Sequence, residues 1–474
     1  MQQLTGLDAS FLALESPTSY AHVGSVCVLE APVDGQPLTL EKLTRLVESR
    51  LHLVPPLRRR LAEVPLGLDQ PYWIEDPHFD IEFHVRELAL PAPGDDRQLA
   101  IQAARLHSRP LDRRRPLWEL YLIHGLQGGR YAVYTKVHHA AIDGVSGNDL
   151  LAALLDQTPE PRDVGDPGEW KPDTPPSGLN MLLRSAVSAA KYPVRAVKVS
   201  ADVIRAVPGL LSSSGRPAVP VLDQVLRRES DGQPLLAPST PFNTNIGPHR
   251  RWVFGSVPLA DVKAVKNAAG ATVNDVVMSL CAAALRSWLQ RNDALPEGPL
   301  LAAVPVSIRN EDQQNTHGNR VAVMIAVLPT HLDDPAARLA ASHQGMAAAK
   351  ENYNALPADI IGDITQFSVP ALSNVASRLA SELRLLSRVP PFNLFISNVP
   401  GPTVDLYYCG ARLEACYPLS VLADGQALNI TVLSIGGNLD FGIIADRDVI
   451  PDVEPIMTGI ADEIEALKKE LGLD

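Results

Sequence analysis

Two adjacent histidines are the residues whose type and spacing point most directly to chemistry. His138 and His139 begin the segment His-His-Ala-Ala-Ile-Asp-Gly, which closes with Asp143 and Gly144. A neutral imidazole has a reference pKa of about 6.5, so it can accept a proton from an alcohol near neutral pH and return it within one cycle. The segment therefore predicts a general base that activates an alcohol.

Two predicted strands lead up to these histidines. Residues 118–124 and 131–137 have the composition of strands, and Gly128-Gly129 between them indicates a hairpin turn. If the second strand continues to residue 139, the two histidines point to opposite faces, because side chains alternate along a strand. We then expect only one of them to enter a given cavity. The Asp-Gly step that follows readily makes a tight turn into a helix.

Three other interpretations of the same segment are open. His139 and Asp143 are four residues apart and could share a metal, but zinc usually needs three or four ligands and no further His or Cys lies at ligand spacing. Ser146 could be a hydrolase nucleophile, but its segment lacks the second glycine of a G-x-S-x-G elbow. The third is that both histidines are structural residues, satisfied inside a core. We predict no metal and no cofactor.

Hydrophobic patterning predicts regular structure over much of the remaining chain. Helices are predicted at 39–53, 97–108, 148–156, 273–292, 334–352 and 452–471. Strands are predicted at 20–31, 299–308, 320–329, 393–398 and 427–435, and regular structure is predicted to resume at 251–258. Strands and helices therefore alternate in the second half.

Length and composition limit the class of protein. The chain has 474 residues, more than the roughly 250–300 at which a single core usually stops growing, so two domains are expected. The 46% apolar and 20% charged residues are typical of a globular protein. The net charge of −12 argues against a general nucleic-acid-binding surface. None of the four cysteines forms a C-x-x-C pair, so we expect buried or spare thiols.

A proline-rich linker and a basic segment divide the chain. Six prolines between 156 and 178 predict a linker. Residues 181–213 predict amphipathic helices with five basic residues and one acid, a composition that suits an anionic membrane or lipid droplet surface. Helices that bridge two domains are the alternative. We therefore predict an N-terminal lobe, a linker with basic helices and a C-terminal lobe, at residues 1–158, 159–238 and 239–474.

The opening residues indicate where the protein works. The segment MQQLTGLDASFLALE has no basic residue and contains two acids, unlike the start of a secretion signal. No window has the ~18 uninterrupted apolar residues of a membrane span. We expect a cytoplasmic protein that associates peripherally with the inner membrane or with lipid inclusions.

The His-His-x-x-x-Asp-Gly spacing resembles the signature of the coenzyme A-dependent acyltransferase superfamily. Other segments resemble, in combination, the bacterial wax ester synthase/diacylglycerol acyltransferase family, and the likeness runs from Leu4 to about Phe441. They are Leu4-Thr-Gly-Leu-Asp-Ala-Ser-Phe11, Arg115-Pro-Leu-Trp-Glu119, Val273-Asn-Asp-Val-Val277, Pro305-Val-Ser-Ile-Arg309 and Ile396-Ser-Asn-Val-Pro-Gly-Pro402.

The resemblance implies a fold and an activity. The fold is α/β (α+β two-layer), with two chloramphenicol-acetyltransferase-like lobes, mixed sheets and an interlobe tunnel. The activity is transfer of a long-chain acyl group from acyl-CoA to diacylglycerol or a long-chain alcohol, forming triacylglycerol or wax ester. Acyl-CoA is then a substrate rather than a cofactor, and the residues that bind it are not identified.

The resemblance also implies roles for the motif residues. His139 would deprotonate the acceptor hydroxyl, while His138 would support the geometry of the loop that includes Gly144. Asp143 would pair with an arginine, for which Arg309 is the candidate.

Two pairs of residues in the second half have two possible roles each. Asn274 would stabilise the tetrahedral oxyanion, although Asn274 and Asp275 are also placed to cap the start of a helix. Ser397 and Asn398 would line the tunnel or only join the lobes.

Trp118 and the arginines beside it are weaker candidates. Trp118 is more typical of a core residue than of a substrate contact. Arg113, Arg114 and Arg115 could bind the phosphates of coenzyme A, although a solvated loop is the simpler interpretation.

Two other functions compete with this one: a condensation-type transferase that uses a carrier protein, and a lipid-coating protein without activity.

Overall fold

Strands rich in apolar residues build two six-stranded sheets. The computed structural model describes residues 1–31, 37–65, 69–142, 147–168, 170–174, 176–178, 180–184, 237–307, 321–354 and 390–473. We call the first sheet with its helices the first lobe, and the second sheet with its helices the second lobe.

Most elements of the first lobe come from the first third of the chain. Its strands are β1 (Gln2–Gln3), β2 (His22–Leu29), β3 (Arg59–Ala62), β4 (Tyr72–Glu75), β5 (Val85–Ala89), β6 (Trp118–His124) and β7 (Tyr131–His138). Its helices are α1 (Gly6–Ala13), α2 (Leu40–Arg50), α3 (Ile81–His84), α4 (Asp96–His107) and α5 (Gly147–Leu154). The predicted hairpin is confirmed, because β6 and β7 pair as antiparallel neighbours.

The remaining elements come from the second half of the chain. The strands are β8 (Arg250–Pro258), β9 (Leu300–Ser307), β10 (Val321–Leu328), β11 (Leu394–Pro400), β12 (Tyr407–Tyr408), β13 (Ala411–Leu419), β14 (Leu428–Ile435) and β15 (Asn438–Asp446). The helices are α6 (Leu259–Ala269), α7 (Val273–Arg291), α8 (Pro335–Asn354) and α9 (Glu454–Glu470). The predicted helices and strands lie close to these bounds, whereas α6, β12, β13 and β15 were not predicted.

Two strands cross from the second half of the chain into the first lobe. The first sheet has the order β12-β13-β2-β7-β6-β5, so β12 and β13 form its edge. In the pairing of β13 with β2, Cys416 lies opposite Cys27, with 3.1 Å between the two sulfur atoms of these free, buried thiols. The lobes are therefore not continuous in sequence, and the predicted division at 239–474 does not capture this exchange.

The crossing segment also touches the second sheet. The indole N–H of Trp252, on β8, donates to the carbonyl oxygen of Pro418, on β13, at 3.2 Å. Gly442, on β15, approaches the same carbonyl so closely that a Cβ at Gly442 would lie 1.8 Å from it. Only glycine allows the two backbones to meet at this distance.

The first sheet is buried on both faces. Leu12, Leu43 and Leu150, from α1, α2 and α5, belong to the core cluster on one face. Leu99 of α4 belongs to the cluster on the other face, together with Ile444 of the second lobe. Packing on both faces explains why β6 and β7 are buried at nearly every position rather than at alternate ones.

The second sheet is mixed, as expected, with the order β10-β9-β11-β14-β15-β8. β11 runs parallel to β9 and β14, and the other pairs are antiparallel. Helices α6 to α9 cover one face, where Val277, Leu280 and Leu285 of α7 are fully buried. The predicted α/β fold of two lobes with mixed sheets is confirmed.

Most of the predicted basic helices at 181–213 lie outside the described residues, because the description stops at Arg184. Met181 packs against the three-stranded sheet β1-β4-β3 through a cluster that contains Tyr72 and Ile74. Among the described helices, none is long and apolar enough by itself to span a membrane. As a pair, α6 and α7 have the length and composition of a span, but they are bent by 103° at their junction.

Candidate active site

The two histidines lie at the junction between β7 and a 3-10 turn. β7 ends at His138, and His139 begins the turn His139–Ile142. The strand therefore ends one residue before His139, and the assumption that it includes His139 is wrong. The two rings nevertheless have different surroundings, because the backbone changes direction between them.

Both ring nitrogens of His138 have partners. Nε2 lies 3.0 Å from Oε1 of Glu15, and Nδ1 accepts the backbone N–H of Ala140 at 3.1 Å. A carboxylate can only accept, so Nε2 carries the hydrogen and Nδ1 carries the lone pair. His138 is buried and has no ring nitrogen left for a substrate.

His139 has a different environment. Its ring stacks on Phe11 of α1 with 4.0 Å between the ring centroids, and its backbone N–H donates to the carbonyl of Ala21 at 2.7 Å. Nδ1 is buried, and within the described part of the chain no other residue offers it a hydrogen-bond partner. Burial chiefly, and the nearby His138 in addition, lower the pKa of His139 to about 4. The His139 ring is therefore neutral at physiological pH.

Glu15 is a residue of this site that the sequence analysis did not identify. Its carboxylate accepts from His138, from the backbone N–H of Ala21 at 3.3 Å and from Arg113 Nε at 3.1 Å. Burial acts to raise the pKa of Glu15, but the hydrogen bonds and charges of His138 and Arg113 outweigh burial and lower this pKa below its usual value. The sequence signal was an acid inside the apolar run Phe11-Leu-Ala-Leu-Glu15.

More titratable groups are buried behind Glu15. His22 Nε2 lies 3.7 Å from the Glu15 carboxylate, and His107 Nδ1 lies 3.0 Å from the hydroxyl of Tyr134. Burial lowers the pKa of His107 to about 3 and that of His22 well below its usual value. Lys136 is fully buried and pairs with Glu119 at 3.0 Å. The first lobe therefore holds neutral histidines and a buried ion pair close to His138.

Asn274 and Asn398 meet at the start of α7. The Asn398 side-chain amide donates to the Asn274 side-chain oxygen at 3.4 Å, so the structure brings together two residues that are 124 positions apart. Neither has a hydrogen bond to His138 or His139 among the described residues. Val399, which follows Asn398, packs on the same core cluster as Ala140. This cluster links the strand β11 to the turn that begins at His139.

Asp275 forms the helix cap that its position suggested. Its side chain accepts the Thr272 backbone N–H at 2.8 Å, while the Thr272 hydroxyl accepts the Asp275 N–H at 3.2 Å. The same carboxylate accepts Nδ1–H of His343, on α8, at 2.7 Å. His343 was not identified from sequence. Asp275 thereby fixes the end of α7 that presents Asn274.

Several predicted site residues are not tested by this geometry. Asp143, Gly144 and Arg309 lie outside the described residues. Ser397 is half-buried on β11, opposite Thr431 of β14.

The other candidates are in structural contacts. Trp118 is a core residue whose indole N–H donates to the Leu57 carbonyl at 2.8 Å. Arg113 pairs with Glu15, Arg114 with Asp112, and the Arg115 guanidinium lies 3.9 Å from the ring centre of Phe83.

No group of three or more His, Cys, Asp or Glu residues in the described ranges is arranged to hold a metal. One small cleft, of about 30 Å³, lies against the turn after His139 and is lined by Gln2, Pro56, Arg59, Trp73, Ala140 and Ala141. Small-molecule pockets usually measure roughly 300–1,000 Å³, so this cleft is too small for a long acyl chain. The interlobe tunnel stays a prediction.

Comparison with known proteins identifies the family. The model of the wax ester synthase/diacylglycerol acyltransferase catalytic domain matches residues 4–277, and that of the WS/DGAT C-terminal domain matches residues 317–468. The Mycobacterium tuberculosis protein named "Probable diacyglycerol O-acyltransferase tgs2" is 37% identical, with 98% of each chain covered. The "O-acyltransferase WSD" of Acinetobacter baylyi is 32% identical, with 98% of this chain and 96% of that protein covered.

A solved structure agrees with this assignment. The wax ester synthase/diacylglycerol acyltransferase from Marinobacter aquaeolei VT8 is 31% identical and superposes with a TM-score of 0.71, covering 99% of this chain and 100% of that one. The chain therefore belongs to the wax ester synthase/diacylglycerol acyltransferase family of acyltransferases.

Proposed function

We propose that this protein transfers a long-chain acyl group from acyl-CoA to the hydroxyl of a lipid alcohol, with His139 as the general base. The observation that supports His139 most directly is the difference between the two histidines. Both ring nitrogens of His138 are occupied by Glu15 and Ala140, whereas His139 is neutral and has no other residue bonded to Nδ1 among those described. Only His139 has a lone pair to offer an alcohol.

The proposed reaction needs one proton carrier and no acyl-enzyme. The nitrogen of the His139 ring that carries the lone pair takes the proton of the acceptor hydroxyl while the hydroxyl oxygen attacks the thioester carbonyl carbon. The tetrahedral intermediate then collapses, the carbon–sulfur bond breaks, and the coenzyme A sulfur takes the proton back from the imidazolium. Stacking on Phe11 supports this role because it excludes water from the ring and keeps it neutral before the substrate binds.

Asn274 is proposed to stabilise the oxyanion of that intermediate. The hydrogen bond from Asn398 occupies the side-chain oxygen of Asn274, which orients its NH₂ group as a donor. Amide donors of this kind contribute about 10²–10³ in rate where they stabilise an oxyanion. The cap made by Asp275 supports the role, because it fixes the helix end that carries Asn274.

The acceptor is proposed to be diacylglycerol, a long-chain alcohol, or both. The names of the relatives support either, since one is a diacylglycerol O-acyltransferase and the solved structure is a wax ester synthase/diacylglycerol acyltransferase. Both acceptors are insoluble lipids. We therefore also propose peripheral contact with a membrane or lipid inclusion, which the basic and apolar composition of residues 181–213 supports.

The experiment is transfer of labelled palmitoyl-CoA to hexadecanol and, separately, to dipalmitoylglycerol. We compare the wild type with His139→Ala and, as a matched control, with His124→Gln, because His124 pairs with Glu87 at the far end of β6. We expect ester with the wild type and with the control, and a loss of at least about 100-fold with His139→Ala. Ester formation by His139→Ala at the wild-type rate would refute the base, and no ester from any variant would redirect the search to carrier-bound donors.

A further inference from the structure

Glu15 holds the backbone on both sides of His139. It accepts Nε2–H of His138, whose Nδ1 in turn accepts the N–H of Ala140. It also accepts the N–H of Ala21, whose carbonyl accepts the N–H of His139 at 2.7 Å. Through His138, the Glu15 carboxylate is therefore linked to Ala140, the residue after His139. Through Ala21, it is linked to the backbone N–H of His139 itself.

The charge of Glu15 also determines the tautomer of His138. If Nε2 were not held by an acceptor, His138 could carry its hydrogen on Nδ1 instead, and Nδ1 would then point a donor at the N–H donor of Ala140. The Ala140 amide would be left without its acceptor inside the protein, which costs roughly 1–3 kcal/mol for a buried group. An anionic partner at Nε2 excludes that arrangement.

Glu15 is linked to the ring of His139 by a second route. Arg113 donates to Glu15 and also to the carbonyl of Leu12 at 2.7 Å, next to Phe11, which stacks on His139. The buried carboxylate thus ties the end of α1 to β7. The Glu15 carboxylate has an exposed fraction of only 12%, and few buried surroundings tolerate such a charge. Here each of its hydrogen-bond partners among the described residues is a donor.

We propose that Glu15 is a positioning residue that fixes the tautomer of His138 and, through it, the placement of the His139 ring. This proposal rests on the proposed function, because it assumes that His139 is the base. Glu15 does not touch the reacting atoms. Its loss lowers the rate of the chemical step while leaving the binding of acyl-CoA unchanged.

The test compares kcat and KM of Glu15→Gln with those of Glu75→Gln. Glutamine keeps the shape of Glu15 and removes its charge. Glu75 is a matched control, because it pairs with Arg59 at 2.9 Å in the same lobe and does not contact the histidines. We expect Glu15→Gln to lower kcat by about 10- to 100-fold, as is common for residues that orient a functional histidine, with KM for palmitoyl-CoA within about twofold. Glu75→Gln should keep the wild-type kcat.

A double-mutant cycle separates positioning from a general structural role. If Glu15 acts through His138, the double variant Glu15→Gln/His138→Gln is no slower than His138→Gln alone. If Glu15 only stabilises the fold, the two losses multiply. That result, or a kcat for Glu15→Gln within twofold of wild type, would overturn the proposal.

Two further variants keep the test decisive. If Glu15→Gln does not fold, Glu15→Asp retains the charge near Arg113 but is one methylene too short to reach His138 as well, and it should show the same loss of kcat. His139→Ala is measured in parallel. An active His139→Ala variant means that the proposed function has failed, whereas an inactive His139→Ala beside a fully active Glu15→Gln means that only the positioning role has failed.

Discussion

The two lobes have sheets of equal size but bury different chemistry. The first lobe buries titratable side chains at His22, His84, His107, Lys136 and His138. The main cluster of the second lobe is built from aliphatic and aromatic side chains of its sheet and of α6 to α9. The second lobe also buries charged side chains, among them the ion pairs of Arg338 with Glu463 at 2.8 Å and of Arg250 with Asp446 at 3.8 Å.

The difference lies in the histidines, because the first lobe buries several of them and the described part of the second lobe buries none. Burying an ionisable side chain without full compensation costs free energy, whereas burying apolar area stabilises by about 25 cal/mol per Å². In the first lobe, this free-energy cost arises from the ionisable side chains that are buried around His139. The second lobe contributes Asn274 and Asn398 from the ends of well-packed elements.

The largest effect is expected where the two lobes meet. Gly442→Ala places a Cβ 1.8 Å from the Pro418 carbonyl, which belongs to a backbone and cannot move aside independently. We expect a loss of several kcal/mol in stability, in the range of severe strain or overpacking, measured as a fall in Tm by circular dichroism. Gly298→Ala is the control, because open space surrounds that glycine. Equal Tm values would mean that the lobes are only loosely joined.

Acid should destabilise the protein through the first lobe. The folded-state pKa is about 4 for His84 and about 3 for His107, both lowered chiefly by burial from the usual 6.5. The unfolded chain takes up these protons near pH 6.5 and the folded chain does not. The stability that the neutral rings contribute is therefore present above pH 6.5 and is lost as pH falls toward 4, by up to about 1.4 kcal/mol per pH unit for each group.

Urea unfolding at pH 7, 6 and 5 measures this slope. His84 stacks on Trp118 at 4.5 Å, so His84→Phe keeps an aromatic ring there and removes one titrating group. We expect a shallower dependence on pH for this variant, and no change of slope for His124→Gln. If the slope were identical in all three proteins, burial of His84 would not contribute to the dependence of stability on pH.

The sequence predicted the local elements and the histidine pair, since both are encoded within short segments. The β6–β7 hairpin follows from two apolar strands around Gly128-Gly129. Contacts between distant segments were not predictable: Cys27 and Cys416 are 389 positions apart, and Glu15 and His138 are 123 apart. No periodicity within one segment records such a pairing, and the capping role of Asp275 was visible only because it is local.

A smaller effect is expected from Phe11. In the proposed mechanism the neutral His139 ring is the active form, so the wild type should lose kcat/KM only as pH falls through about 4. Phe11→Ala opens the ring to water and should raise this pKa toward 6.5, which moves the acid limb up by about one to two pH units. Profiles of kcat/KM between pH 4 and 8 measure the limb. Phe83→Ala, a change at the Arg115 contact, should leave it in place, and an unmoved limb in Phe11→Ala would contradict the burial argument.

The smallest effects are expected at surface ion pairs, where the lobes should not differ. Arg45 pairs with Glu41 on α2, with exposed fractions of 72% and 73%. Arg447 and Asp448 form an exposed pair in the second lobe at 3.3 Å. Arg45→Gln and Arg447→Gln should each change the free energy of unfolding by no more than about 0.5 kcal/mol in urea titrations. A larger change in one lobe would mean that surface charges also contribute to the stability of that lobe.

The crossing of β13 into the first lobe has a consequence for biosynthesis. Strand β2 leaves the ribosome early, but its partner residue Cys416 follows Cys27 by 389 positions, which is about 20–80 seconds at ordinary rates of about 5–20 residues per second. During that time one edge of β2 lacks its neighbour, and open edges readily pair with other chains. The first lobe therefore begins to emerge first but completes its sheet only after β13 has been translated, and any nascent chain that stops before Ala411 keeps that edge open.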